Sequence, residues 1–133
     1  MKEFHLEIVT PDGLVFDGMI ESLLVQTNDG IVEFLAGHID YFTTLGTGKA
    51  RIKSNGKDRL AAVSGGFVTI TNGEAKLVAI TFEFAENIDL ERAKAAKEKA
   101  SSMISSSKDS KTIDIAKAKL QRAISRIHVA ESK

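Results

Sequence analysis

The chain changes composition near Asn87, and that change limits its fold more than any other feature. Upstream, short runs of Val, Ile, Phe and Thr are punctuated by glycine. Downstream there is no Gly and no Pro, and Ala, Lys, Glu and Arg dominate. A segment without either helix-breaking residue and rich in alanine is built for helices. β-branched and aromatic runs cut by turn residues are built for strands. Residues 1–86 therefore read as a β domain and residues 87–133 as a helical arm. Charge divides at the same place. The first part holds 7 Lys+Arg against 12 Asp+Glu, a balance of −5, and the second 11 against 6, a balance of +5. The formal net charge of zero hides an acidic body carrying a basic appendage. Such an arm is suited to acidic surfaces or phosphates.

The remaining bulk properties mainly exclude. At 133 residues the chain is one domain, or one domain with an appendage. It has no Cys, hence no disulfide, no thiolate chemistry and no cysteine metal site. The start, MKEFHLEIVT, lacks the apolar core of a signal peptide. No apolar run approaches the ~18 residues of a membrane span, so membrane association is expected only through a partner. Aromatics are 6% of the chain, with no Trp and one Tyr, which argues against base-stacking nucleic-acid surfaces.

Phe4, Leu6 and Ile8 alternate with His5 and Glu7, the period of a half-buried strand, and Pro11, Asp12 and Gly13 end it in a turn. Further apolar stretches lie at 23–25, 31–35, 50–52, 60–63, 67–70 and 76–84. Asn55-Gly56 and Asn72-Gly73 each separate two of them. Asn-Gly supplies the positive φ angles of a type I′ turn, so both are expected hairpins. Asp29-Gly30 and the group Ser64, Gly65 and Gly66 read as further turns. The pattern predicts an antiparallel β-sandwich, or flattened barrel, followed by a two-helix hairpin.

From Leu90 the period becomes helical. Leu90, Ala93, Ala96 or Lys97, Ala100, Met103 and Ile104 form one stripe, with Asp89 as expected N-cap and Glu91 in the first turn. A polar break spans 105–110. A second stripe runs through Ile113, Ala116, Leu120, Ala123 with Ile124, and Ile127. Two helices of similar length joined by a short loop fold back antiparallel. Alanine at so many seam positions permits close packing but buries little apolar area, so the hairpin is expected to open or redock readily.

Most apparent catalytic signals fail on inspection. Gly13 and Gly18 have the spacing of a phosphate-binding loop, but Met19 and Ile20 stand where Lys and Ser/Thr are needed, leaving two turns of a β domain as the reading. Gly46-Thr47-Gly48 lacks a third glycine and a following helix. His5, His38 and His128 have no ligand-like spacing. Ser64 lacks the context of a nucleophile elbow and reads as a strand-connecting turn. Glu83 and Glu86 have no other groups around them to build a substrate cleft. No catalytic residue and no metal site is predicted.

One constellation remains. Asp89 and Arg92 open the first helix, and Arg122 and Arg126, at i and i+4, share a face near the end of the second. With the turn centred near Lys108, antiparallel pairing sets Arg92 opposite about Ile124, flanked by Arg122 and Arg126. This arrangement reads either as a solvated basic face whose aliphatic stems cover the seam or as a polyphosphate site, since Arg forks fit phosphate.

The whole chain resembles the epsilon subunit of the bacterial F-type ATP synthase. The resemblance rests on Pro11-x-Gly13, Gly30, Gly37-His38, Leu45-x-x-Gly48 and the segment Ser64-Gly65-Gly66-Phe67-Val68. Ile88-Asp89-Leu90-Glu91-Arg92-Ala93 matches that family's ATP-binding signature, I/L-D-x-x-R-A. The resemblance implies that Ile88, Asp89 and Ala93 face adenine and that Arg92 faces the phosphates. Glu83 matches an acidic residue before the motif, and Arg122 and Arg126 match the second-helix arginines. Lys99 stands where strong binders have Arg, keeping the charge without the fork. The family's P-G-H-x-P loop reads here as Ala36-Gly37-His38-Ile39-Asp40, without either proline, which predicts a looser rotor-contact loop at Gly37 and His38.

By the same resemblance the chain is a non-catalytic rotor subunit at the cytoplasmic face of the cell membrane. Its partners would be the gamma subunit, the c-ring and the alpha and beta subunits. Its arm would restrain ATP hydrolysis when extended. It would need no cofactor, with ATP as a regulatory ligand favouring the folded arm. The alternative is a sandwich-plus-hairpin binding module for nucleic acid or an acidic protein. A small enzyme is the remaining rival.

Overall fold

The computed structural model describes residues 2–132. Eight strands come first: β1 (Phe4–Thr10), β2 (Gly13–Ile20), β3 (Ser22–Thr27), β4 (Gly30–Leu35), β5 (Tyr41–Thr44), β6 (Gly48–Ser54), β7 (Lys57–Thr71) and β8 (Glu74–Phe84). A 3-10 turn (Ala85–Asn87) leads into α1 (Leu90–Ser106) and α2 (Ser110–Glu131). The strands hydrogen-bond in the order β2-β1-β8-β7-β6-β3-β4, with β5 added to β7. This path does not return on itself, so the domain is a sandwich and not a closed barrel. Every ladder is antiparallel except β1 with β8, which is parallel. Phe4, Leu6 and Ile8 of β1 share one buried core with Leu23 and Val25 of β3 and Phe34 of β4. Strands far apart on the path thus face each other across the sandwich, as alternation of apolar residues requires.

Both Asn-Gly pairs make the expected hairpins. Asn55 and Gly56 have φ of 54° and 73°, and Asn72 and Gly73 have 51° and 78°. Ser64, Gly65 and Gly66 do not form a turn. They lie inside β7, which pairs with β8 on both sides of them, from Ala61↔Phe84 to Thr71↔Glu74. Gly65 and Gly66 have φ of 71° and 105°. They bend the strand where its neighbour on the other edge changes, from β6 beside residues 57–63 to β5 beside residues 67–70. Gly18 also lies within a strand, β2. Neither β2 nor β5 stands among the apolar stretches of the sequence. In β2 a bulge between Ile8 and Val9 of the partner shifts the register at Val15, breaking the two-residue period. β5 has only four residues.

On the outer surface His5 Nε2 lies 2.5 Å from Asp17 Oδ1, across β1 and β2. The hydrogen bond to Asp17 raises the His5 pKa above its ordinary 6.5, outweighing desolvation, with Glu74 and Glu7 adding smaller attractions. A raised folded-state value stabilises fully below the unfolded pKa and is lost as pH rises through the folded pKa. Asp17→Asn should therefore cost stability in mildly acidic solution and little at alkaline pH. The pair is 35% and 48% exposed, so the difference should stay within about 1 kcal/mol. Denaturant titrations at about pH 6 and about pH 9 measure it. An equal cost at both would show that protonation of His5 contributes nothing.

The arm forms as its periodicity requires. The Asp89 carboxylate caps α1 by accepting the Arg92 N–H at 3.1 Å, and Asp109 caps α2 through Lys111 N–H and the Thr112 hydroxyl. The break is shorter than the polar run. Ser105 and Ser106 remain helical, their hydroxyls donating to the carbonyls of Ser101 and Ser102, which leaves only residues 107–109 between the helices. The fully buried seam positions of the hairpin are alanines: Ala93, Ala100, Ala116 and Ala123. Ile124 lies outside this seam, 46% exposed. Near its C-terminus α2 docks on the sandwich. Val129 is fully buried against Ala62 of β7 and Ala85 of the 3-10 turn, with Leu60 and Ile88 at the edges.

Candidate functional site

The end of β8, the 3-10 turn and the two helices enclose an open cleft of about 430 Å³. Its walls are Glu83, Asn87, Ile88, Asp89, Arg92, Ala93, Ala96 and Arg126. Local structure explains why they meet. Phe82 and Glu83 at the end of β8 are half-buried and Phe84 is buried, and strand alternation puts Glu83 on the face opposite the two phenylalanines. The turn holds Ile88 through its N–H to Ala85 O at 3.2 Å. Arg59 fixes the same junction, its guanidinium 3.7 Å above the Phe84 ring and paired with Glu86. Asp89 as N-cap sets where α1 begins, so Arg92 and Ala93 come at the first turn beside the cleft. α2 returns antiparallel and brings Arg126 to the opposite wall.

Electrostatically the cleft is mixed. Arg126 Nε lies 3.3 Å from Glu83 Oε1, an ion pair that ties α2 to β8. Arg92 is exposed and, among the described residues, forms no ion pair. One oxygen of Asp89 is occupied by the helix cap. An apolar strip of Ile88, Ala93 and Ala96 thus lies beside two guanidinium groups and a carboxylate. That combination can hold a flat, partly apolar ring at one end and an anion at the other.

Two of the expected site residues, Arg122 of the constellation and Lys99 of the resemblance, lie elsewhere. Arg122 does not flank Arg92 across the cleft. It shares a face with Arg126, but it points toward the sandwich, into a small cavity beside Ser64 and Thr81. One helical turn, about 6 Å along the axis, separates the two arginines: Arg126 lines both the cleft and this cavity, whereas Arg122 lines the cavity alone. Lys99 is exposed on α1, seven residues and so about 10.5 Å along the axis from Arg92, and does not line the cleft. Conversely, Asn87 and Ala96 line it although neither was expected as a site residue. Ala96 was detectable as the i+3 neighbour of Ala93. Asn87 was not, because its position depends on the turn.

The Gly37-His38 loop lacks the prolines but makes ring contacts and a hydrogen bond of its own. The His38 ring meets Phe34 and Tyr41 at centroid distances of 5.0 and 5.8 Å. Asp40, where the family pattern has proline, accepts the Asn72 N–H at 2.9 Å and ties the loop to the β7–β8 turn. Leu35, Ile39 and Phe42 around it are exposed. Among the described residues no group of three or more His, Asp or Glu side chains comes together to hold a metal ion.

Comparison with known proteins places this geometry. Residues 3–85 match the family described as ATP synthase, Delta/Epsilon chain, beta-sandwich domain. Residues 86–131 match ATP synthase, Delta/Epsilon chain, long alpha-helix domain. The ATP synthase epsilon chain of Bacillus velezensis is 42% identical over 130 residues, covering 98% of both chains. This chain belongs to the ATP synthase epsilon-chain family. The epsilon chain of Caldicellulosiruptor saccharolyticus is 35% identical, covering 100% of this chain and 97% of its own. Among solved structures, a chain of the Euglena gracilis mitochondrial ATP synthase, OSCP/F1/c-ring in rotational state 1, has a TM-score of 0.78 at 23% identity. The match covers 90% of this chain and 76% of that one. A chain of the Tetrahymena thermophila mitochondrial ATP synthase central stalk and c-ring gives 0.62 at 13%, covering 97% of each. At those identities the likeness is one of fold. As an epsilon chain the protein is a non-catalytic subunit of ATP synthase.

Proposed function

We propose that this epsilon chain works in the central stalk, at the cytoplasmic face of the cell membrane, as a rotor subunit with an ATP-sensing arm. The sandwich binds the gamma subunit and the c-ring, with Leu35, Ile39 and Phe42 around the Gly37-His38 loop as the apolar contact. The arm restrains ATP hydrolysis when it leaves the sandwich and reaches the alpha and beta subunits. ATP holds it folded.

The observation that carries this reading is the convergence of Glu83, Ile88, Asp89, Arg92, Ala93 and Arg126 in one cleft that exists only while the hairpin is folded and docked. Adenine packs on Ile88 and Ala93, and its exocyclic amine donates to Glu83 or to the free oxygen of Asp89. Arg92 and Arg126 hold the phosphates. Lys99 and Arg122 lie outside the residues that line the cleft. ATP is a regulatory ligand and not a cofactor.

Calorimetry on the full chain tests the proposal. ATP at 100 times its dissociation constant should stabilise the folded form by about 2.7 kcal/mol. GTP should bind more weakly, because a carbonyl replaces the amine the carboxylates accept from. Arg92→Ala removes a charge-assisted contact worth roughly 1.5–3 kcal/mol, so ATP affinity should fall about ten- to a hundredfold. No heat and no thermal shift in the wild type at millimolar ATP would end the sensor reading.

A further inference from the structure

Arg59 lines no part of the nucleotide cleft, yet it grips the segment on which the cleft is built. It lies near the start of β7, opposite Ile52 of β6. Opposed residues of neighbouring strands share a face, and Ile52 belongs to the core, so Arg59 leaves the sheet on the core side. Its guanidinium lies 3.7 Å above the ring of Phe84, the last residue of β8. Phe84 is itself fixed by its neighbours, edge-on to Phe82 at 5.1 Å and to Phe16 of β2 at 6.4 Å. From that platform Arg59 donates an Nη2 hydrogen to Glu86 Oε1. A planar guanidinium can stack on a ring and still donate within its own plane, which the point charge of a lysine does not.

Glu86 is the middle residue of the 3-10 turn, and its neighbours serve two different contacts. Ala85 helps form the socket that receives Val129, while Asn87, Ile88 and Asp89 line the cleft. Placing Glu86 therefore places both the docking surface for α2 and one wall of the cleft. Phe84, as N-cap of the turn, gives it no side-chain hydrogen bond. We infer that Arg59 is a positioning residue for the arm: stacked on the sandwich through Phe84 and bound to the turn through Glu86, it sets how firmly α2 docks and, through the cleft wall, how tightly ATP is held. The affinity part rests on the nucleotide reading above, and the docking part does not. The competing role is a cover for Phe84, in which the aliphatic stem shields the ring and the charge is idle.

Two substitutions separate these roles. Arg59→Met keeps an apolar stem over Phe84 and removes the charge, and Glu86→Gln keeps the shape of the partner and removes the ion pair. Both are compared with the wild-type full chain by hydrogen exchange without nucleotide and by calorimetry with ATP. Arg59→Met should speed exchange about three- to tenfold in α2 and at residues 85–88, with the central strands at the wild-type rate. ATP affinity should fall by a similar factor, although every residue lining the cleft is intact. Glu86→Gln should act in the same direction, and more weakly in the Arg59→Met background than alone, because the two side chains act as a pair. Exchange that rises in the strands as much as in α2 would make Arg59 a cover for the core. Exchange in α2 left unchanged by Arg59→Met would make its charge idle. Either result overturns the inference, and faster exchange in α2 with unaltered ATP affinity overturns its link to the cleft. Absence of ATP binding in the wild type would instead end the nucleotide reading, and hydrogen exchange alone would then decide the role of Arg59.

Discussion

Gly66→Ala is expected to leave little folded protein. At φ of 105° the position is already closed to ordinary side chains. A Cβ there would stand 1.9 Å from the carbonyl oxygen of Val78 and 2.8 Å from the Cα of Ala79. Both are backbone atoms of β8, the strand that β7 pairs with over most of its length, so relief requires breaking the ladder. The Leu45 N–H also donates to the Gly66 carbonyl at 2.9 Å, so displacement would spread to the approach of β5. The cost should exceed about 4 kcal/mol, set against a total stability of about 5–15 kcal/mol for a domain of this kind. Gly65→Ala is the matched control. Its Cβ would meet Ile80 Cδ1 at 2.7 Å, the tip of a side chain that is 65% exposed and able to swing away. It should cost only the roughly 1–2 kcal/mol of the left-handed backbone. Urea unfolding of the two variants ranks them. Equal losses, or a Gly66→Ala protein of near wild-type midpoint, would mean that the close approach of β7 to β8 is not what requires glycine here.

Val129→Asp should release the arm while sparing the sandwich. Val129 is the fully buried residue of the docking contact, and its burial is worth about 1.5–3 kcal/mol. The other contributions are small. Ala62 and Ala85 offer little area, and the partly exposed Glu83–Arg126 pair adds at most about 1 kcal/mol. An unpaired carboxylate in that socket costs more than the whole contact returns. The chain avoids the cost by undocking α2, which leaves the core of β1, β3, β4 and β7 untouched. Hydrogen exchange should speed up along α2 and at the 3-10 turn but not in the central strands. In the assembled synthase the freed arm should restrain hydrolysis more strongly and answer less to ATP, since the cleft needs α2 in place for Arg126. Unaltered exchange in α2 would place the docking energy elsewhere. Normal exchange in the strands combined with unrestrained hydrolysis would remove the arm from the inhibitory role.

The outline of the molecule was legible from local rules. The loss of Gly and Pro after Asn87, the two Asn-Gly turns and the Asp89 cap each act within a few residues, so each could be read without a partner. The short parallel register between β1 and β8 could not, because parallel pairing joins segments some seventy residues apart. Nor could the role of Ser64, Gly65 and Gly66. Glycine marks a positive φ equally in a turn and in a bent strand, and only the position of β8 against Gly66 separates the two. The bulge at Val15 hid β2 by erasing its alternation. At the site, the motif from Ile88 to Ala93 lies on one continuous turn-and-helix start and was visible whole. Arg126 and Arg122 were visible only as a shared helical face. Which of them lines the cleft with Arg92 depends on where α2 stops along the sandwich, and Val129 in its socket beside Ala62 and Ala85 fixes that. A sequence carries helical period to within a residue, but a shift of α2 by one turn along its axis would put a different arginine at the cleft, and only packing between distant segments fixes that position.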